Sequence, residues 1–126
     1  AMFYPCAYGY IPATLSEDGD PLDVLVHCPF PVVHGCVIRS KPIGILKMED
    51  EAGLDAKLLA VPVAKLLPSS EGVHEVSDMP ELIINQIEHF FRHYKDLEKN
   101  KWVKIIGWGD SAEAKEEIQK SIIAAR

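Results

Sequence analysis

Ile43-Gly44-Ile45-Leu46-Lys47-Met48-Glu49-Asp50-Glu51-Ala52-Gly53-Leu54-Asp55-Ala56-Lys57-Leu58-Leu59-Ala60-Val61-Pro62-Val63 sets two aliphatic runs on either side of an acidic, glycine-bearing turn. Short runs rich in Val, Ile and Leu and bounded by turn formers read as strands, here over 43–48 and 57–63. Upstream, 23–27 and 36–39 have the same character; downstream, 102–106 reads as one more strand, ended by Gly107 to Gly109. The prolines fall mostly between these runs, as the loss of a backbone N–H requires.

From 79 onward the period changes. Ile83, Ile87, Phe90, Tyr94 and Leu97 recur at steps of three and four, which predicts one apolar stripe along an amphipathic helix. Asp78 with Glu81 reads as a capping pair, with Pro80 tolerated in the first turn. Asp110 with Glu113 opens a second helix that carries Ala114, Ile118, Ile122 and Ala125 inward. Strands followed by helices give an α+β layout, a small OB-like β-barrel flanked by two helices.

At 126 residues the chain fits a single domain, 1–126, and 48% hydrophobic with 25% charged residues is a globular balance. No apolar run is long enough to cross a bilayer, and the first ten residues lack the basic flank and apolar block of a signal peptide. Cys6, Cys28 and Cys36 are odd in number and lack C-x-x-C spacing, which excludes a complete disulfide framework and fits a reducing cytoplasm. A net charge of −6 argues against broad binding to nucleic acid or to an anionic membrane. The aromatics near the acidic residues also lack the basic company of a single-strand-binding barrel.

Glu17-Asp18-Gly19-Asp20-Pro21-Leu22-Asp23-Val24-Leu25-Val26 crowds three aspartates against the start of an apolar strand. Like charges held close raise one another's pKa unless a cation neutralises them, so the cluster points to a divalent metal. The plainer alternative is a polar turn, since Asp, Gly and Pro are the commonest turn residues. An EF-hand loop counted from Asp18 needs Gly at its sixth place and Glu at its twelfth; Asp23 and Pro29 stand there. Glu49-Asp50-Glu51 with Asp55 reads either as a solvated hairpin tip or as a second acidic group facing the first across one rim of a meander. With no Cys or His in either cluster the ligands are all oxygen, which suits Mg²⁺, or Mn²⁺ as a substitute, better than Zn²⁺.

Taken together, these residues resemble the soluble inorganic pyrophosphatases of the bacterial type. Asp18-Gly19-Asp20-Pro21-Leu22-Asp23-Val24 is similar to that family's signature, Asp-x-Asp-Pro-hydrophobic-Asp-hydrophobic. Phe3 to Pro12, Asp50 to Lys57 and His93-Tyr94-Lys95-Asp96-Leu97-Glu98 follow in the family's order. Ala7, Pro12-Ala13 and Leu54 depart from the family's usual residues and leave the ligand positions intact.

The resemblance implies a Mg²⁺-dependent hydrolase that splits pyrophosphate into two phosphates. Asp18, Asp23 and Asp55 would be the principal metal ligands, and Asp50 would help to hold a further ion. Asp20 would accept the proton of the attacking water, while Tyr8, Lys57, Tyr94 and Lys95 would hold phosphates and Tyr4 and Tyr10 would line the wall. It also implies a homo-hexamer, with His89 and His93 on the helix surface or at a subunit contact. The family carries a further block of strands before Phe3 that supplies a Glu, a Lys and an Arg. The chain is therefore expected to be the C-terminal catalytic portion, with a barrel incomplete on its N-terminal side. The alternative is a non-catalytic metal- or phosphate-binding or assembly module of the same fold.

Overall fold

A computed structural model describes residues 4–126; Phe3, the first residue of one quoted block, lies outside them. Five strands, β1 (Ala7–Tyr10), β2 (Asp23–Val26), β3 (Ser40–Asp50), β4 (Gly53–Pro62) and β5 (Val103–Gly109), form one open sheet in the order β1-β2-β4-β3-β5. Only β2 and β4 run parallel; the other neighbours are antiparallel. Helix α1 (Glu81–His93) and helix α2 (Ser111–Ala124) complete the α+β layout. β1 and β5 are the edges, so among the described residues the barrel is not closed.

Strand periodicity sorts the side chains to two faces. Leu25, Leu46, Met48, Leu59 and Val61 pack with Ile87, Phe90 and Phe91 of α1 in the larger core. Their sequence neighbours Val24, Ile45 and Leu58 pack on the other face with Leu22, Ala114 and Ile118, under α2. Ile87 and Phe91 are wholly buried, and each such side chain contributes about 1.5–3 kcal/mol. The alternation also aims the polar residues. Asp23, Asp50, Asp55 and Lys57 share the parity of Leu25, Met48 and Leu59, so the α1 face becomes acidic at one end.

The hairpin from β3 to β4 turns through Glu51 and Ala52, with Asp50 opposite Gly53. Gly53 sits at φ +120°, a conformation that costs glycine little. The Asp50 carboxylate accepts from the Ala52 N–H at 2.9 Å and closes the turn. In β3 the register shifts between Pro42 and Gly44, where proline cannot donate to the ladder. A Cβ on Gly44 would collide with the Val76 side chain.

Several expectations need correction. Residues 36–39 form no strand; Val37 is 95% exposed, and without a partner ladder its β-branched side chain has nothing to pack on. β1 was not anticipated as a separate strand, and it forms by pairing with β2. β3 and β4 run through the acidic turn, so Glu49 and Asp50 are strand residues. The α1 stripe ends with the helix: Tyr94 is its C-cap, and Leu97 lies beyond it, fully exposed. Asp78 caps the preceding 3-10 turn, accepting from the N–H groups of His74 and Glu75 at 2.9 and 3.0 Å. Pro80 occupies the N-cap of α1. β5 starts after Trp102 and continues through Gly107 to Gly109. Asp110 does cap α2, accepting from Glu113 N–H at 2.9 Å, whereas Ala125 is exposed past its end.

Candidate metal centre

Asp18, Asp23 and Asp55 each place a carboxylate oxygen within 4.8 Å of the other two. Asp23 opens β2 and Asp55 lies near the start of β4, on adjacent parallel strands. Asp18 reaches them from the intervening turn. Its Oδ1 accepts from the Asp20 N–H at 2.9 Å and from Ser16 Oγ at 2.7 Å, and Gly19 at φ +88° lets the chain curl around it. The segment is therefore a polar turn that also delivers a carboxylate to the cluster.

Lys57 is the cation within this cluster. Its Nζ lies 2.7 Å from Asp23 and 3.0 Å from Asp55 and donates to Tyr8 Oη at 3.1 Å, with its side chain only 6% exposed. Burial by itself would lower the Lys57 pKa, but the hydrogen bond to Asp23 and the charge of Asp55 outweigh it and drive the group well above the usual lysine range. Asp55 moves the other way from most paired carboxyls: burial raises its pKa, Lys57 opposes the rise, and Asp18 and Asp23 add to it. Burial likewise pushes the Tyr8 hydroxyl up, against the pull of Lys57. The partly buried Asp55 carboxylate, 3.0 Å from the Lys57 ammonium and crowded by Asp18 and Asp23, would be stabilised in its charged form by a further cation. The all-oxygen donor set, with one position open to Asp18 from solvent, fits a hard divalent cation.

A second group forms where α1 ends. Lys95 Nζ lies 3.0 Å from Asp50 and 3.4 Å from Glu51. Asp50 is raised by burial, but the Lys95 hydrogen bond and the Ala52 N–H prevail and hold it below the ordinary aspartate value. Tyr94 sits between the groups. Its ring stacks on Phe90 with centroids 5.6 Å apart, and its hydroxyl, raised chiefly by burial, feels Lys95, Lys57, Asp55 and Asp50.

The structure thus brings Asp18, Asp23, Asp55, Lys57 and Tyr8 into one cluster, and Lys95 and Asp50 into an adjoining pair. Asp50 is not among the three converging carboxylates. Asp20 is exposed in the Asp18 turn, and among the described residues its carboxylate makes no hydrogen bond. Tyr4 packs its ring 4.7 Å from Tyr8 and 4.6 Å from Phe90 as a wall, and Tyr10 is 63% exposed. His89 and His93 lie with rings 4.6 Å apart, and His93 Nδ1 is 2.8 Å from Asp96. Glu51 and Ser16 were given no role from the sequence. Glu51 stood in the acidic run, and Ser16, two before Asp18, is the common partner of an Asp turn. A groove of about 510 Å³ beside α2 shares only Ser16 and Asp55 with these residues and adjoins the carboxylate cluster at its edge.

The inorganic pyrophosphatase family model matches residues 1–126. The chain is 60% identical over its full length to the inorganic pyrophosphatase of Yersinia pestis and 59% identical to that of Escherichia coli K12, spanning 72% of each. An inorganic pyrophosphatase structure from Coxiella burnetii superposes with a TM-score of 0.96 at 51% identity, over 100% of this chain and 75% of that one. The Thermus thermophilus enzyme superposes with a TM-score of 0.94 at 44% identity, over 99% and 72%. With its signature carboxylates converged on one end of a sheet of that architecture, the chain belongs to the inorganic pyrophosphatase family.

Proposed function

We propose that this chain is the catalytic portion of a Mg²⁺-dependent inorganic diphosphatase that hydrolyses pyrophosphate to two phosphates. The observation that carries the reading is the convergence of Asp18, Asp23 and Asp55 within 4.8 Å, beside Lys57 and Tyr8. These three carboxylates would hold Mg²⁺, for which Mn²⁺ is a substitute, and Asp50 would contribute to a further ion after parting from Lys95. Bound there, divalent cations supply Lewis acidity, lowering the pKa of water and offsetting charge on phosphoryl oxygens.

The remaining steps belong to the side chains. Asp20, exposed beside Asp18, takes the proton of the attacking water. Lys57, Tyr8, Tyr94 and Lys95 surround the carboxylates with ammonium and hydroxyl donors, which hold phosphate oxygens and strengthen their hold as charge gathers on the leaving phosphate. The raised pKa values of Tyr8 and Tyr94 keep both hydroxyls protonated, and hence donors, at neutral pH. Lys57 balances Asp23 and Asp55 until a cation and substrate arrive, then turns to phosphate.

The resemblance supports a homo-hexamer, and the exposed pair His89 and His93 beside Asp96 supplies a polar surface for a subunit contact. Three free cysteines support a cytoplasmic location. No helix of the described residues is long and apolar enough to cross a membrane. Phosphate release from pyrophosphate, measured with Mg²⁺ and again with the ion chelated, tests the reading. Mg²⁺-dependent turnover is expected. No turnover, with pyrophosphate and Mg²⁺ still bound, would favour the binding module instead.

A further inference from the structure

The loop that carries Asp18 is pinned at both ends and along its length. Ile11 N–H donates to the Leu22 carbonyl at 2.9 Å, and the buried Thr14 hydroxyl donates to the Ile11 carbonyl at 2.6 Å while accepting from Leu22 N–H at 2.9 Å. The residues on either side of Ser16 are tied to α2. Leu15 N–H donates to the carbonyl of the buried Ser121 at 3.0 Å, and Lys120 Nζ lies 2.8 Å from Glu17. Ser16 itself closes the turn through its main chain, donating from its N–H to the Asp20 carbonyl at 2.8 Å and accepting from Gly19 N–H at 3.1 Å. Its hydroxyl is thereby held against Asp18, and the 2.7 Å bond to Oδ1 has the length of a charge-assisted hydrogen bond.

Each oxygen of an ionised carboxylate has about two lone-pair sites. On Asp18 Oδ1 both are taken, one by the Ser16 hydroxyl at 2.7 Å and the other by the Asp20 N–H at 2.9 Å. Among the described residues Asp18 Oδ2 accepts no hydrogen bond. Asp18 is thus prepared to offer a cation one oxygen rather than two. That difference separates the two common hard cations. Mg²⁺ demands near-octahedral geometry at about 2.0–2.1 Å, whereas Ca²⁺ gathers about six to eight oxygens at about 2.3–2.6 Å and accepts both oxygens of one carboxylate.

We propose that Ser16, by occupying Asp18 Oδ1, sets the preference of the carboxylate site for Mg²⁺ over Ca²⁺. The assignment rests on the Mg²⁺ centre proposed above for Asp18, Asp23 and Asp55. Ser16 is a positioning residue, since it touches a ligand and not the ion. Without its hydroxyl, Oδ1 keeps only the Asp20 N–H, and the carboxylate can turn to offer both oxygens. Asp23 and Asp55 lack such a device: each sets Oδ2 against Lys57, at 2.7 and 3.0 Å, and that ammonium turns away when phosphate arrives. Asp18 is therefore the ligand whose mode of binding the turn itself fixes.

The test is calorimetric titration of Mg²⁺ and, separately, of Ca²⁺ into the unsubstituted chain, Ser16→Ala and Ser16→Thr, with no pyrophosphate present. Alanine keeps both main-chain bonds of the turn and loses only the hydroxyl. The ratio of Mg²⁺ to Ca²⁺ affinity is expected to fall about tenfold or more in Ser16→Ala, the scale on which groups that orient a metal ligand act. Ser16→Thr, which carries the hydroxyl again, is expected to restore it. A turn that was merely loosened would weaken both ions alike, so an unchanged ratio in Ser16→Ala would overturn the proposal while leaving the Mg²⁺ centre standing. A ratio that falls equally in Ser16→Thr would also overturn it. An unsubstituted chain that binds Ca²⁺ as tightly as Mg²⁺ would do so without any variant, and one that binds neither ion would remove the carboxylate centre and this assignment together.

Discussion

Replacing Lys57 with Met removes the ammonium that lies 2.7 Å from Asp23 and 3.0 Å from Asp55 while keeping most of the buried stem. At an effective dielectric of about 20 these separations correspond to attractions of about 6 and about 5.5 kcal/mol. Most of that is offset by the cost of desolvating the ammonium and both carboxylates. What the variant leaves is two half-buried carboxylates without a counter-charge, and breaking a buried pair in this way costs about 3–5 kcal/mol. Asp23 retains 23% side-chain exposure and Asp55 12%, which places the expected loss near 3 kcal/mol. In a chain of this size that lowers Tm by roughly 10 °C. The assay is urea unfolding in chelator and again in millimolar Mg²⁺. Because a divalent cation supplies the missing positive charge, Mg²⁺ is expected to stabilise Lys57→Met more than it stabilises the unsubstituted chain. A loss below about 1 kcal/mol, or an equal Mg²⁺ effect on both proteins, would refute the reasoning that Lys57 neutralises a metal-poor cluster.

Asp20→Asn keeps the shape of the turn and removes the proton acceptor; phosphate release is expected to fall by about 10²–10⁴-fold with Mg²⁺ binding unchanged, checked by steady-state assay beside calorimetric titration of the ion. Gly44→Ala drives a methyl group into Val76 and should cost about 1–3 kcal/mol by overpacking, read from the urea midpoint. The raised pKa of Asp55 carries a pH consequence. Protons and the cation compete for the ionised carboxylate, so Mg²⁺ affinity is expected to weaken on acidification, beginning above the ordinary aspartate value of 3.8. Titration of the ion at successive pH values checks it, and affinity independent of pH down to 3.8 would remove Asp55 from the ligand set.

Much of this arrangement was legible in the sequence because period two governs both core and site. The alternation that buries Leu25 and Leu59 also dictates that Asp23 and Lys57 face the same way, and the parallel pairing of β2 with β4 then brings them into contact. The cap at Asp110 was legible because its geometry is local. Residues 36–39 misled because composition records β-propensity but not whether a partner strand exists. Leu97 misled because the stripe continues in spacing after the backbone has left the helix at His93. The pairing of Asp50 with Lys95 joins positions 45 residues apart; it depends on where α1 ends over the hairpin, which no local pattern encodes.

In the proposed function Asp18, Asp23 and Asp55 hold the cation on which pyrophosphate hydrolysis depends. It is tested most directly by the Mg²⁺ dependence of phosphate release in the unsubstituted chain and in Asp23→Ala. The half-saturating Mg²⁺ concentration is expected to rise at least about tenfold in the variant, with the fold retained by circular dichroism. An identical Mg²⁺ dependence in the two proteins would contradict it.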